Sequence, residues 1–124
     1  MEKLVNCDII ISIELIEIVS GGNQAFEILF STRGKEKYKI IFNFVWDMRY
    51  SIENGYIDRF SNFVREIKNE SNVLLVENSE YVKYFEKQVS GTRSVDQIKN
   101  YILFDNIDTV IEILTVSEPL LVKV

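Results

Sequence analysis

The sequence predicts an α+β fold, in which a mostly antiparallel sheet carries two helices packed on it. The sheet is expected to combine an N-terminal three-stranded meander with C-terminal strands. Apolar residues recur at every second position in several segments, as in strands, and at every third or fourth position in two others, as in helices. The 124 residues, 47% of them hydrophobic, are enough for a single domain, residues 1–124, with one core.

The meander is predicted between residues 7 and 52. Residues 7–15 alternate as a strand, and a shift of phase at Leu15 and Ile16 indicates a β-bulge. Gly21, Gly22 and Asn23 suit a tight turn into a second strand at 26–30, so these two strands should form a hairpin. The stretch YKIIFNFVWDMRYSI at 38–52 alternates throughout and is predicted as one strand of fifteen residues, with a bend, a bulge or an overhang.

Two helices are predicted after the meander, separated by a buried strand at 73–76. The first follows Asn54 and Gly55 and places apolar residues on one side as far as Ile67. The second is capped by Asn78 or Ser79 and ends before Gly91. Its predicted buried face consists of Tyr81, Tyr84, Phe85 and Val89.

The last third of the chain is predicted as three further strands. Residues 98–104 and 109–116 flank the sequence DNID at 105–108, which has the composition of a turn. Residues 109–116 also fit a helical stripe, although their β-branched residues favour a strand. Because Pro119 cannot donate a backbone hydrogen bond in a central ladder, LLVKV at 120–124 is predicted as an edge strand.

Composition excludes several classes of function. The net charge of −5 argues against general affinity for nucleic acid or for an anionic membrane, because both require an excess of Lys and Arg. The chain has no histidine, and its one cysteine, Cys7, lies on an apolar phase, so no nucleophile with its base is evident. No signal peptide or membrane segment is predicted, and a cytoplasmic location is expected.

The sequence predicts no cofactor and no metal site. The glycine pair lies between two strands of a hairpin, whereas phosphate-binding loops lie between a strand and a helix. The segment DNID lacks the longer run of oxygen ligands and the distal glutamate of a calcium loop. Catalysis is therefore not predicted, and binding of another protein is the more economical interpretation.

Two surfaces are candidates for contact with a partner. Residues 100–122 contain carboxylates but no Lys or Arg, so this run should attract a basic partner. The second candidate is the polar end of the long predicted strand, together with tyrosines near the ends of elements, whose rings can be half-buried. The predicted contact residues are Asp105, Asp108, Glu112, Asp47, Arg49, Tyr50, Glu53, Tyr56 and Tyr81.

The segment YILFDNIDTVIEILTVSEP at 101–119 resembles the C-terminal portion of several small bacterial immunity proteins. These are encoded beside polymorphic or contact-dependent growth-inhibition toxins. The resemblance covers about a sixth of the chain and transfers no functional residues. It implies a non-enzymatic protein that binds a cognate toxin, expected to be a basic nuclease-type domain, in the cytoplasm and blocks it sterically and electrostatically.

Two other interpretations are compatible with the sequence. In one, the chain is a small-molecule-binding or enzymatic domain whose pocket, between the sheet and the helices, contains Asp47 and Arg49. In the other, two copies form a homodimer through the LLVKV edge.

Overall fold

The computed structural model describes residues 1–22, 25–52, 60–89 and 97–124. These residues form ten strands and one helix, α1. The strands are β1 (Lys3–Asn6), β2 (Leu15–Gly22), β3 (Ala25–Ser31), β4 (Lys37–Phe42), β5 (Asp47–Ile52), β6 (Val64–Glu66), β7 (Val73–Glu77), β8 (Lys99–Phe104), β9 (Thr109–Thr115) and β10 (Leu120–Lys123), and α1 is Glu80–Val89.

The strands form two sheets that share one core. A six-stranded sheet has the order β5-β9-β8-β7-β1-β6, and a four-stranded sheet has the order β10-β4-β3-β2. All neighbouring pairs are antiparallel except β1 and β6, which are parallel. Buried side chains of both sheets meet in one cluster, to which the four-stranded sheet contributes Ile28, Phe30, Ile40 and Phe42, and the six-stranded sheet contributes Val73, Tyr101, Leu103, Ile111 and Ile113. The sheets therefore pack against each other.

Helix α1 covers part of the opposite face of the six-stranded sheet. Tyr81 and Val82 are buried there with Leu114, and Trp46 and Phe85 pack around them. Leu114 belongs to β9, whose alternate residues Ile111 and Ile113 lie in the core between the sheets. The six-stranded sheet is therefore covered on both faces in the region of β9.

The prediction of one sheet with two packed helices is wrong. The structure has two sheets and, within the described residues, a single helix of ten residues. Residues 53–59, where the first predicted helix begins, lie outside the described residues, and from Ser61 onward the predicted helix is not observed. Residues Val64–Glu66 instead pair with β1. Phe60, Phe63 and Ile67 still pack on one buried cluster, so their spacing indicated burial without indicating a helix.

The prediction of one strand over residues 38–52 is also wrong. The chain leaves the four-stranded sheet after Phe42 and enters the six-stranded sheet at Asp47. Phe42 and Met48, on either side of this crossing, both pack on the core between the sheets. The apolar alternation of the sequence therefore spans a change of sheet. Its burial phase is not kept at the crossing, because Val45 packs on the core between the sheets and Trp46 packs on the cluster at α1. A hydrogen bond from the Thr115 hydroxyl to the backbone carbonyl of Phe44 fixes the chain between β4 and β5.

The prediction of a strand over residues 7–15 is wrong for all but its last residue. Residues 7–14 are not a strand, although Ile9, Ile11 and Ile13 pack on the core, and the strand β1 at Lys3–Asn6 was not predicted. Side chains satisfy the backbone of this irregular segment, since the hydroxyl of Ser71 accepts the Ile11 N–H at 3.2 Å. The bulge is confirmed as a shift of register between Ile16 and Ile18.

The other predicted elements are confirmed. A meander of β2, β3 and β4 is present, although its first and third strands differ from the predicted bounds. The buried strand β7 and the strands β8 and β9 are present, so residues 109–115 are a strand rather than a helix. Ser79 caps α1, where its Oγ accepts the Val82 N–H at 3.1 Å. β10 is an edge strand of its sheet, although pairing of two copies through it stays a prediction. No helix in the described part of the chain is long and apolar enough to span a membrane.

Candidate functional site

The strand register brings the two predicted contact surfaces together. β5 lies at one end of the six-stranded sheet and pairs with β9. Arg49 is opposite Glu112, and Ile52 is opposite Thr109, which follows the acidic turn at 105–108. The acidic turn therefore lies beside the last residues of β5. Of the predicted contact residues, Glu53 and Tyr56 lie outside the described residues.

Arg49 is the centre of a small cluster between β5 and α1. Its guanidinium carbon lies 3.7 Å from the ring centroid of Tyr81 and 5.9 Å from that of Tyr84. Tyr81 and Tyr84 are three residues apart on the helix and so face the same side. Asp47 and Arg49 are two residues apart on the strand and also share a face. The helix and the strand thus place a cation over aromatic rings, an attraction worth about 0.5–2 kcal/mol.

Tyr81 connects the helix to β5 by a hydrogen bond. Its hydroxyl donates to Oδ2 of Asp47 at 2.9 Å, while only 1% of the residue is exposed. Burial raises the pKa of Tyr81, and the hydrogen bond to Asp47 and its negative charge raise it further, whereas Arg49 acts in the opposite direction. Tyr81 therefore positions Asp47 and Arg49 and offers almost no surface of its own to a partner.

The raised tyrosine pKa values predict a loss of stability at alkaline pH. Burial also raises the pKa of Tyr101. A proton bound more tightly in the folded chain than in the unfolded chain stabilises the fold below about pH 10, and this contribution falls as pH rises above that value. The expected loss is at most about 1.4 kcal/mol per pH unit for each tyrosine. Urea unfolding at pH 9, 10 and 11 measures it. Tyr81→Phe should have a shallower slope, and an unchanged slope would contradict this assignment.

Glu112 is buried on the same face of the sheet. It is 4% exposed and lies opposite Arg49 in the register of β5 and β9. A side chain with so little accessible surface contributes little direct contact area to a partner. The structure thus places Glu112 within the sheet and leaves Arg49, on the neighbouring strand, exposed.

The side chain of Asp105 stabilises the acidic turn by accepting backbone hydrogen bonds from the residues that follow it. Its Oδ1 accepts the N–H groups of Ile107 and Asp108 at 3.0 Å and of Thr109 at 2.9 Å. Its Oδ2 accepts the N–H of Ile16 at 3.0 Å, which joins the turn to β2 of the other sheet. Asp105 is 8% exposed, whereas Asp108 is exposed at the surface of the turn. Of the two aspartates, Asp108 is therefore the one available for a contact.

The other face of β5 carries exposed apolar side chains. Met48 packs on the core between the sheets, and Tyr50 and Ile52 follow it on the same face because they are two and four residues further along the strand. Tyr50 is 64% exposed and Ile52 is 56% exposed. Tyr84, above Arg49 on the helix side, is 57% exposed. We call Asp47, Arg49, Tyr50, Ile52, Tyr84 and Asp108 the β5 surface.

Cavities are shallow at the β5 surface. Arg49, Glu80, Tyr81 and Tyr84 line one of about 280 Å³, which is just below the usual range of ligand pockets. Two larger cavities, of about 440 and 550 Å³, are lined by residues other than Asp47 and Arg49. Buried side chains occupy the space between the two sheets. A small-molecule or enzymatic function stays a prediction that none of these features favours.

Sequence reasoning missed part of the β5 surface. Tyr84 was assigned to the buried face of its helix, but it is exposed beside Arg49. The spacing of Tyr81 and Tyr84 correctly indicates that both side chains lie on the same side of the helix. It does not indicate how deeply each side chain is buried, which depends on the neighbouring strand. Ile52 lies on the apolar phase of residues 38–52, which predicts burial, and its exposure follows from the position of β5 at the end of the sheet.

Comparison of the chain with known protein families, curated proteins and solved structures found no match.

Proposed function

We propose that this chain is a non-enzymatic, cytoplasmic immunity protein that binds a cognate bacterial toxin through the β5 surface and blocks it sterically and electrostatically. The observation that carries the proposal is the arrangement of Arg49 over two tyrosine rings on one face of β5, with Tyr84 exposed beside it and Tyr50 and Ile52 exposed on the other face. Tyrosine and arginine are the residues that most often dominate the energy of protein interfaces. The resemblance of residues 101–119 to immunity proteins supports the class of partner.

The rigidity of the β5 surface supports its use in binding. Arg49 is held against Tyr81, and Tyr81 is itself fixed by burial and by its hydrogen bond to Asp47. An arginine that is already positioned loses less conformational entropy when a partner binds than one that moves freely in solvent. The contact energy of the β5 surface is therefore available without prior reorganisation of its charged residues.

Electrostatics support a basic partner. Asp47 and Asp108 are exposed on β5 and on the turn beside it, with Arg49 between them along this edge, and the chain carries a net charge of −5. Opposite charge accelerates the encounter of two proteins and orients them before contact. A positively charged nuclease-type toxin domain fits this distribution.

Removing the exposed tyrosines tests the proposal. The chain is coexpressed with the C-terminal domain of the protein encoded next to its gene, and growth protection and the dissociation constant of the purified complex are measured. The native chain should protect and form a stable complex. Tyr50→Ala and Tyr84→Ala should each weaken binding about tenfold or more, because exposed aromatic anchors contribute about 1.4 kcal/mol or more at an interface.

Ile18→Ala is the matched control. Ile18 is 55% exposed, close to the exposure of Tyr84, but it lies on β2 in the other sheet. Its replacement should leave the dissociation constant within about twofold, because a side chain outside the contact contributes nothing to binding. If the native chain does not bind the toxin domain, the proposed function is rejected. If Ile18→Ala weakens binding and the tyrosine variants do not, the β5 surface is the wrong interface.

A further inference from the structure

The edges of the two sheets differ in how well they can accept another strand. Within the described residues, the edge strands are β6 and β5 in one sheet and β2 and β10 in the other. An edge strand exposes backbone N–H and C=O groups, and proteins obstruct such edges with bulges, prolines, charges or very short strands. Bulges, a proline or very short strands are present at three of the four edges, whereas the fourth, β5, carries charges but has no bulge and no proline.

Three edges carry specific obstructions. β6 has three residues, and its Glu66 forms an ion pair with Lys3. β2 is interrupted by the bulge between Ile16 and Ile18. β10 has four residues and directly follows Pro119. Each of these features shortens or distorts the row of backbone groups that a further strand would need.

β5 offers a regular edge of six residues. All six of its residues pair with β9 in continuous register, from Asp47 opposite Leu114 to Ile52 opposite Thr109. Tyr50 and Ile52 are exposed on one face of the strand, and Asp47 and Arg49 are exposed on the other. In an antiparallel pair, alternate residues direct their backbone groups away from the neighbouring strand. β5 therefore presents both a hydrogen-bonding edge and side chains able to select what binds to it.

We infer that an extended segment of the partner protein adds to the six-stranded sheet as a new strand beside β5. This inference rests on the proposed function and specifies how the partner is held. Backbone hydrogen bonds along β5 supply affinity, and side chains at alternate positions of the incoming strand supply selectivity. Met48, at the centre of the strand, is partly buried and packs against the core between the sheets, which fixes the face of β5 that the segment meets.

The side chains of β5 define the chemistry of that segment. A carboxylate opposite Arg49 and a Lys or Arg opposite Asp47 place opposite charges in contact on the helix side. Apolar residues opposite Met48, Tyr50 and Ile52 cover the exposed side chains of the other face. The segment therefore alternates apolar and polar residues. Two of its polar residues carry charges of opposite sign and lie two positions apart.

A pair of peptides tests this chemistry on the chain alone. Both are cyclised β-hairpins. In the first peptide, the hairpin strand that is to pair with β5 is Val-Thr-Val-Glu-Val-Lys. It runs antiparallel to β5, with its Glu opposite Arg49 and its Lys opposite Asp47. In the second peptide, the Glu and the Lys of this strand are exchanged, so the two peptides have the same composition and net charge. The first peptide should bind about tenfold more tightly, because the exchange turns two attractive cross-strand pairs into repulsive ones.

Amide hydrogen exchange distinguishes strand addition from contacts made by side chains alone. The exchange rates of the β5 amides are measured by NMR in the free chain and in its complex with the toxin domain. Alternate β5 amides, those directed away from β9, should exchange at least about tenfold more slowly in the complex. The amides of β10 serve as the reference, because β10 is an edge strand of the other sheet and should be unchanged.

The possible outcomes separate the two proposals. Equal binding of the two peptides, or no binding of either, overturns the predicted segment. A toxin complex that Tyr84→Ala weakens, but in which the β5 amides exchange as in the free chain, overturns strand addition and leaves the proposed function in place. Failure of the toxin domain to bind rejects the proposed function, and exchange of the β5 amides measured with the first peptide bound then decides strand addition independently.

Discussion

Asp105→Ala is expected to lower the free energy of unfolding by about 3 kcal/mol or more. One carboxylate accepts four backbone N–H groups, two from the turn it begins, one from Thr109 at the start of β9 and one from Ile16 on the other sheet. Alanine leaves all four without this acceptor at a site where Asp105 is 8% exposed. Hydrogen bonds to a charged group contribute about 1.5–3 kcal/mol each and are not additive, so the expected loss is smaller than their sum.

Asp108→Ala is the matched control for this prediction. Asp108 lies three residues further along the same turn, is exposed, and receives a hydrogen bond at 3.4 Å from the Thr109 hydroxyl. Its loss should cost less than about 0.5 kcal/mol, as at most exposed positions. Urea unfolding followed by circular dichroism measures both variants. If the two differ by less than about 1 kcal/mol, the turn does not depend on the Asp105 carboxylate.

The structural role of Asp105 changes how charge on this surface must be tested. Reversing the charge of Asp105 or Glu112 places a lysine at a position that is 8% or 4% exposed, so any loss of binding could reflect unfolding. Asp108 is exposed and can be reversed without that ambiguity. The acidic run at 100–122 thus consists of both structural and accessible carboxylates, which composition alone does not separate.

Local pattern predicted the type of most elements but not the sheet in which they lie. Tyr38, Ile40, Phe42 and Met48 all pack on the same core, although the chain changes sheet between Phe42 and Asp47 and Trp46 packs on the cluster at α1 instead. The core between two sheets imposes the same period on strands of either sheet. Assignment to a sheet depends on long-range pairing, such as β5 with β9, which no local pattern records.

The predicted first helix is not observed from Ser61 onward, for a related reason. Phe60, Phe63 and Ile67 are spaced by three and four residues, and all three reach one buried cluster with Leu4 and Leu74. A helix explains such spacing, but so does a short irregular segment that leads into β6 and out of it. The second helix was predicted correctly because its apolar spacing is accompanied by a cap at Ser79, a local signal for the start of a helix.

Several individual residues of the candidate site could be predicted from the sequence, but their positions relative to one another could not. Asp47, Arg49 and Tyr50 could be selected because they lie near the end of an alternating segment, and Tyr81 because it lies near a helix start. Their proximity to the acidic turn comes from the pairing of β5 with β9. The exposure of Tyr84 and the burial of Tyr81 depend on where α1 lies over that edge of the sheet.

Tyr81→Ala is expected to lower the free energy of unfolding by about 3–4 kcal/mol, because it removes a large side chain from a closely packed cluster. Tyr81 is buried in the cluster that it forms with Val82, Ile98 and Leu114, between α1 and the six-stranded sheet. The same change removes the ring against which Arg49 lies and the hydroxyl that donates to Asp47. Binding of the toxin domain should therefore weaken as well, even at a temperature where the variant is fully folded.

Two further variants separate the structural role of Tyr81 from its role in positioning Arg49. Tyr81→Phe keeps the ring and loses only the hydrogen bond, so stability should fall by about 1 kcal/mol and binding should be largely retained. Tyr84→Ala removes an exposed ring, so stability should change by less than about 0.5 kcal/mol while binding weakens about tenfold or more. Unfolding and binding measured on all three variants distinguish the two roles. If Tyr81→Ala, once folded, binds as tightly as the native chain, then the position of Arg49 does not control recognition, and the exposed side chains of β5 and α1 act independently of it.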